Sequence, residues 1–485
     1  MPKLLRTLAL LATLVPGVAR SQALTSLSSV YVGYSSRKTS AKPTGELKAR
    51  LDSIDQQLSA ANRIGRTGEV RRLLAKGNAI LSGKTWTDSA EFANSLLLRT
   101  DRVVVESQRP YTVRLEQLYT PSVELTHSLT VRAGLVARAA GAPPTDPVTI
   151  VKAVPRIHGV SRDLRESPQL IEFDLHDVPD GRYAVAVEVM DSTRSLGIAT
   201  LQVVLRKGID ETVNHLEAEA KSAPEALRAE ILYPVDRMRN VNLGKLELRT
   251  LDVDKDFANA EAVIAAVKEK KDPFAGRTGD IKRHYALESA MELMPYHLYV
   301  PTTYASSRAY PLIIALHGLG GTEDVFFDSY GKTLPPLAEK HGYIVAAPLG
   351  YRVDGQYGWG LGTPPEDPKT MNTQKLSEDD VMQVLALARK LYNVDPNRIY
   401  LMGHSMGAIG TWRIAAKYPD SWAAVAPFSG YGAPATVEKM RSIPEFVVHG
   451  DADPTVNVAG SRTMVAAMKS LGVDVTYIEV PNGNH

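Results

Sequence analysis

The chain has 485 residues, of which 44% are hydrophobic, 23% charged and 7% aromatic. That balance fits a folded soluble protein and excludes wholesale disorder; at about 150 residues per domain it points to two to four domains. Cysteine is absent, which excludes disulfides, zinc–thiolate sites, thiol catalysis and a lipidated cysteine, and a net charge of +2 makes no electrostatic case for nucleic acid or an anionic membrane.

Residues 1–23 read as a signal peptide. Lys3 and Arg6 precede an apolar run from Leu8 to Val15, Pro16 and Gly17 break it, and Ser21-Gln22-Ala23 offers small residues for cleavage. The run is too short to span a bilayer, so the expected product is periplasmic or secreted, with no membrane anchor after cleavage. Losing the three cations Lys3, Arg6 and Arg20 with the leader takes the net charge from +2 to −1.

Residues 24–102 are expected to form a helical subdomain. A Ser- and Thr-rich lead-in runs to about residue 40; then Leu47, Leu51, Ile54 and Leu58 recur at spacings of three and four, and Val70, Leu73, Leu74 and Ile80 continue the pattern. Over residues 103–208 the period drops to two. Ile171, Phe173 and Leu175 alternate with Glu172 and Asp174, Pro179-Asp180-Gly181 supplies a turn, and Tyr183, Val185, Val187 and Val189 follow. Several short strands with turns between them predict a β-sandwich of immunoglobulin-like type, although no Cys pair supports that name. Residues 209–283 return to helix, with Leu216, Ala220, Leu227 and Ile231 before Pro234 and a second run from Ala260 to Lys270, and close as a linker at Asp272-Pro273 and Gly276. His127, His158, His176 and His215 are scattered, so no metal site is expected in this half.

Residues 284–485 alternate strand and helix. Tyr296–Val300, Leu312–Leu316, Ile344–Ala347, Arg398–Met402, Ala423–Ala426, Phe446–Val448 and Val475–Val480 read as strands, several of them unbroken apolar runs. A helix is expected from Glu378 to Tyr392, with Ser377 as its N-cap and Asp379 and Asp380 in its first turn. Apolar strands separated by helices predict a mostly parallel sheet covered on both faces.

On that scaffold Gly403-His404-Ser405-Met406-Gly407 follows a strand and precedes a helical run from Ala408 to Tyr418. This is a G-x-S-x-G motif in strand–turn–helix context, the setting of a nucleophile elbow. Glycines are needed at 403 and 407 because a side chain there would collide with neighbouring backbone, and the helix N-terminus behind Ser405 favours developing negative charge. A serine hydroxyl is a poor nucleophile until a base takes its proton, and the base needs an orienting carboxylate. His449-Gly450-Asp451-Ala452-Asp453 follows a predicted strand where the acid belongs; Asp453 is the first choice and Asp451 the second. His485, in the loop after the last strand, is the expected base; His404 adjoins the nucleophile on a tight turn and should point away from it, leaving His404 and His449 structural parts.

Charge that builds on a carbonyl oxygen must meet backbone donors already in place. The Met406 N–H is one candidate, and the loop His317-Gly318-Leu319-Gly320-Gly321 offers the second, with Leu319 preferred to Gly318. That loop lacks the Lys-Ser/Thr that a phosphate cradle would carry. Trp359, in the Gly/Pro-rich stretch GQYGWGLGTPP, is a candidate substrate contact, whereas Trp412 and Trp422 read as helix packing. The chemistry needs neither metal nor organic cofactor.

At the segments PYHLYVP (295–301), PLIIALHGLGG (311–321), RIYLMGHSMGAIGTW (398–412), KYPDSWAAVAPFSG (417–430) and HGDADPTV (449–456) the chain resembles secreted α/β-hydrolases. That branch includes feruloyl and acetyl-xylan-type esterases, polyhydroxyalkanoate depolymerases and prolyl-oligopeptidase-like enzymes. The resemblance implies an α/β-hydrolase fold over 284–485, Ser405 as nucleophile, Asp453 as acid, His485 as base, and Met406 with Leu319 around the oxyanion. It also implies a further helix after the catalytic histidine, so the sequence reads as truncated at His485. The expected activity is a serine carboxylesterase acting on a small-molecule or polymer ester, aromatic feruloyl-type esters included. A prolyl-oligopeptidase-like peptidase is the alternative, and a polysaccharide-binding protein with an inactive hydrolase fold is the rival from another class.

Overall fold

The computed structural model describes residues 27–137 and 148–485; the expected signal peptide lies outside them. The chain divides into two compact units, one formed by residues 1–218 with 234–257, the other by 219–233 with 258–485. The segment expected to be a linker is therefore shared out between them. Among the described residues no helix is long and apolar enough to cross a membrane.

The first unit opens with helices Leu27–Ala41, Gly45–Arg63, Thr67–Leu81 and Asp88–Ser95. The helix over Leu27–Ala41 replaces the expected loose lead-in: it has no apolar stripe for its sequence to show, and it is held by Tyr34, which is buried among Leu51, Leu58 and Leu74 and donates to Asp55 Oδ1 at 2.8 Å. Two sheets follow. One pairs Tyr111–Gln117 with Leu96–Arg99 and Gln169–Phe173; the other runs Val104–Val105, Arg194–Leu205, Gly181–Asp191, Leu129–Ala137 and Thr149–Ala153, with Ile157–Val160 also on Leu129–Ala137. Val113, Leu115, Ile171 and Phe173 from the first sheet and Val131, Leu135, Val185 and Val187 from the second share one core. The strand at Leu96–Arg99 lies inside the segment expected to be helical, so the two-sheet region begins before residue 103.

The second unit is built on an eight-stranded sheet. Its strands are β1 (Gly279–Leu287), β2 (Glu292–Val300), β3 (Tyr310–Leu316), β4 (Ile344–Pro348), β5 (Val394–His404), β6 (Ala424–Phe428), β7 (Glu445–Gly450) and β8 (Val475–Val480). The spatial order is β1-β2-β4-β3-β5-β6-β7-β8. β1 and β2 form an antiparallel hairpin, β2 meets β4 antiparallel, and every later pair is parallel. Helices that follow its strands include α1 (Leu334–His341), α2 (Pro368–Leu391), α3 (Met406–Lys417) and α4 (Ala459–Ser470).

Alternate residues of the central strands enter different cores, as a period of two requires. Ile314, Leu316 and Ala346 pack with Val381 and Leu385 of α2, Trp412 and Ile414 of α3 and Met464 and Met468 of α4. Ala315, Val345 and Ala347 face Phe326, Phe327 and Ala338 of α1. Each fully buried Leu, Ile or Phe is worth about 1.5–3 kcal/mol against exposure, so both faces of the sheet are anchored. β1 escaped the sequence pattern because the strand carries Asp280, Lys282, Arg283 and His284, with only Ile281, Tyr285 and Leu287 buried.

The helix expected to start at Glu378 begins ten residues earlier. Its N-cap is Asp367, whose carboxylate accepts from Thr370 N at 2.8 Å, with Pro368 in the first turn. Ser377 lies mid-helix and fully buried, its Oγ accepting from Tyr357 N at 3.0 Å. Asp380, also buried, accepts from Tyr285 Oη at 2.6 Å and Tyr351 N at 2.7 Å. These polar residues are not a helix start; they tie the loop after β4 down onto α2.

Candidate active site

Four chain segments converge at the carboxyl edge of the sheet. β5 ends at His404, and Ser405 forms the turn into α3 with φ 59° and ψ −118°, a left-handed conformation that costs energy in any residue but glycine. Neighbouring backbone holds it there: Ser405 N–H donates to Phe428 O at 2.9 Å, and Ser405 O accepts from Ala408 N and Ile409 N. The glycine requirement is visible in the packing. A Cβ at Gly403 would overlap the Gly407 carbonyl, and one at Gly407 would overlap Leu316 O at the end of β3.

His485 Nε2 lies 2.8 Å from Ser405 Oγ, and its Nδ1 lies 2.7 Å from Asp453 Oδ2. The loop that carries His485 reaches this position because Gly450, at the end of β7, leaves room for the Gly483 carbonyl. Ala452 N donates to Gly483 O at 3.0 Å and Asn482 N to Asp451 Oδ1 at 2.7 Å, so the two loops are stitched together. Asp451 is spent on that stitch; Asp453 faces the imidazole.

The Asp453 side chain is fully buried. Its Oδ1 accepts from Thr455 N at 2.7 Å and Val456 N at 2.8 Å. Burial pushes its acidity the wrong way for an anion, but the hydrogen bond from His485 and the two backbone N–H groups outweigh it and hold the carboxyl below the usual range. The group is thereby kept ionised beside the ring it orients.

Met406 is the first residue of α3, so its N–H has no partner within the helix. Gly318 lies beside the serine turn: a Cβ added there would sit 3.3 Å from Ser405 Cβ. Leu319 is the next residue, partly buried against the main core. The loop is pinned by His317, which is fully enclosed, with Nε2 2.6 Å from Leu349 O and Nδ1 2.7 Å from Gly318 O, and by Tyr357 Oη, which donates to His317 O at 3.1 Å. Burial pushes the His317 imidazole towards its neutral form.

Trp359 lies along α3: its ring is 5.7 Å from Lys417 Nζ, and Arg413 donates to the carbonyls of Gln356 and Gly358 in the same loop. Trp412 is buried and donates from Nε1 to Glu445 Oε2 at 2.7 Å.

His404 departs from expectation. It does not point away: its Nε2 donates to the main-chain oxygen of His485 at 2.9 Å, its ring centroid is 4.7 Å from that of His485, and Tyr330 Oη lies 2.9 Å from its Nδ1. Because Nε2 faces an acceptor, Nδ1 must accept from the tyrosine. Burial and the adjacent His485 both push the His404 ring towards neutrality. No spacing rule in the sequence couples residues 330, 404 and 485; the terminal loop has to cross the end of β5 before they meet.

The strand order, with a strained serine turn after β5 and the histidine after β8, is that of the α/β-hydrolases. Residues 288–465 match a family model described as "Putative esterase". Over 161 residues the chain is 31% identical to a bifunctional acetylxylan esterase/xylanase from Neocallimastix patriciarum, covering 33% of this chain and 22% of that protein. Over 137 residues it is 32% identical to feruloyl esterase B of Neurospora crassa, covering 28% and 43%. The chain thus spans less than half the length of either relative. Among solved structures, a thermostable esterase is 19% identical, with a TM-score of 0.35 over 80% of this chain and 91% of that one.

Proposed function

We propose that the protein is a serine carboxylesterase, exported with removal of residues 1–23, in which Ser405, His485 and Asp453 act as nucleophile, base and acid. The observation that carries this reading is the unbroken path from Ser405 Oγ to His485 Nε2 at 2.8 Å and from His485 Nδ1 to Asp453 Oδ2 at 2.7 Å. Ser405 attacks the ester carbonyl while His485 takes its proton; the alcohol leaves as His485 returns that proton to it; water, deprotonated by the same ring, then releases the acid. Met406 N–H and the Leu319 backbone N–H are proposed as the donors to the tetrahedral oxyanion. The relatives named for acetylxylan and feruloyl esters favour ester substrates of plant-polymer type, small or polymeric. The two-sheet region of the first unit is proposed as an immunoglobulin-like sandwich.

The test is hydrolysis of p-nitrophenyl acetate by the wild type and by Ser405→Ala. The reading requires turnover by the first and none above background by the second; equal rates refute it. Parallel assays on methyl ferulate and on a proline p-nitroanilide peptide separate esterase from peptidase.

A further inference from the structure

Asp453 has a second imidazole partner. His449, within β7, is completely buried, and its Nε2 lies 3.2 Å from Asp453 Oδ2 and 3.0 Å from Val456 O. A carboxylate and a backbone carbonyl only accept, so Nε2 carries a proton, which it donates to Val456 O while the Asp453 carboxylate lies against the same N–H. On the other side of the ring Nδ1 lies 2.7 Å from Ser461 Oγ, which in turn is 3.0 Å from Gly430 O at the end of β6. The ring is fixed at both nitrogens, by β7's own loop and by α4.

Asp453 thus has two backbone N–H groups on Oδ1 and the His485 N–H on Oδ2, with His449 Nε2 3.2 Å from that same Oδ2. A carboxylate with one oxygen saturated by backbone can still turn about its Cβ–Cγ bond unless the other oxygen is held as well. We infer that His449 is a positioning residue that locks Asp453 Oδ2 in line with His485 and shares that oxygen's charge, so that it helps set how readily His485 releases its proton. The inference rests on the triad reading above. The other titratable groups around the ring are accounted for. Glu479, opposite His449 in register on β8, is paired with Arg462 of α4. Asp451 is turned to Asn482 N, and His404 is bonded to the His485 main chain. A carboxylate deprived of one donor holds a neighbouring imidazolium more tightly, so losing the His449 N–H should make His485 harder to deprotonate.

The experiment is the pH dependence of kcat/KM on p-nitrophenyl acetate for the wild type, His449→Leu, His449→Gln and Ser461→Ala, with Ser405→Ala as the blank. We expect His449→Leu to lower kcat about tenfold with KM within about twofold, the size of effect seen when an outer partner of an oriented ligand is lost. Its acidic limb should move to higher pH by about half a unit or more. His449→Gln, whose side-chain N–H can reach Oδ2, should recover most of the shift, and Ser461→Ala should show a smaller displacement in the same direction. A His449→Leu enzyme with an unmoved acidic limb overturns the inference even if kcat falls, because a mere packing role would reduce yield or rate without moving the profile. If that variant is not recovered folded, an unmoved limb in Ser461→Ala overturns it instead. A wild type no faster than Ser405→Ala removes the triad reading itself, a distinct result.

Discussion

Nε2 of His404 donates to the main-chain oxygen of His485 at 2.9 Å, so the residue before the proposed nucleophile holds the backbone of the proposed base. Truncating it leaves the terminal loop without that tether. His404→Ala is expected to lower kcat about tenfold, since small displacements of a positioned group are costly to rate, while KM changes little. Tyr330→Phe, which deletes only the hydroxyl bonded to Nδ1, should cost a few-fold at most. Steady-state kinetics on both variants, with thermal melts to establish folding, would decide; a His404→Ala enzyme at wild-type rate would show the tether to be idle.

Asp453→Asn keeps the shape of the acid but removes its charge. The amide cannot both accept the two backbone N–H groups and present an acceptor to His485 Nδ1, so the imidazole loses its orienting partner. A fall in kcat of about 10³- to 10⁴-fold is expected, with a lowered melting temperature because the amide N–H₂ leaves a buried N–H donor unpaired. Single-turnover rates measured beside calorimetry would check it, and a loss under tenfold would point to another acid.

At Gly407 a methyl group would be driven into Leu316 O with backbone on both sides. Neither atom can rotate away, so Gly407→Ala should destabilise the second unit by about 3 kcal/mol and abolish activity by displacing Met406 N–H. Urea titration would show a lowered midpoint; unchanged stability would contradict the packing described.

Glu445, at the start of β7, is buried with Oε2 bonded to Trp412 Nε1 and Oε1 without a partner among the described residues. Burial pushes its carboxyl up from 4.5 to about 7. The folded state therefore holds the proton more tightly than the unfolded one. Its stabilising contribution is full below about pH 4.5 and is lost as pH rises through about 7, a span worth on the order of 3 kcal/mol at 1.36 kcal/mol per unit. Glu445→Gln should match the wild type at low pH and exceed it at pH above about 8. Denaturant midpoints across that range test the sign; a wild type that gained stability over this interval relative to the variant would reverse it.

The parts of the site legible in the sequence were those with a local cause. Gly403 and Gly407 flank a serine between an apolar strand and a helix because the turn admits no side chain, and that constraint is written in five adjacent letters. Asp453 and His485 follow strands β7 and β8, so their loops could be placed once the strands were recognised. What escaped depends on long-range packing. Ser377 and Asp380 looked like a helix start because they are polar, yet they are buried by the loop around Tyr351 and Tyr357. The course of the loop around Trp359 was not legible either, because Arg413 bonds to the carbonyls of Gln356 and Gly358 and draws that loop along α3. The environments of His404 and His449 depend on where residues 481–485 and helix α4 finish, which no spacing within either motif encodes.

The stitch between Ala452 N and Gly483 O would tie the proposed proton relay to a local folding equilibrium. In the proposed triad, lifting of the 481–485 turn would leave Ser405 without its base, so reactivity would follow a local opening rather than any change in the sheet. Slow amide exchange at Ala452 would then report, in the absence of substrate, the fraction of molecules that are armed.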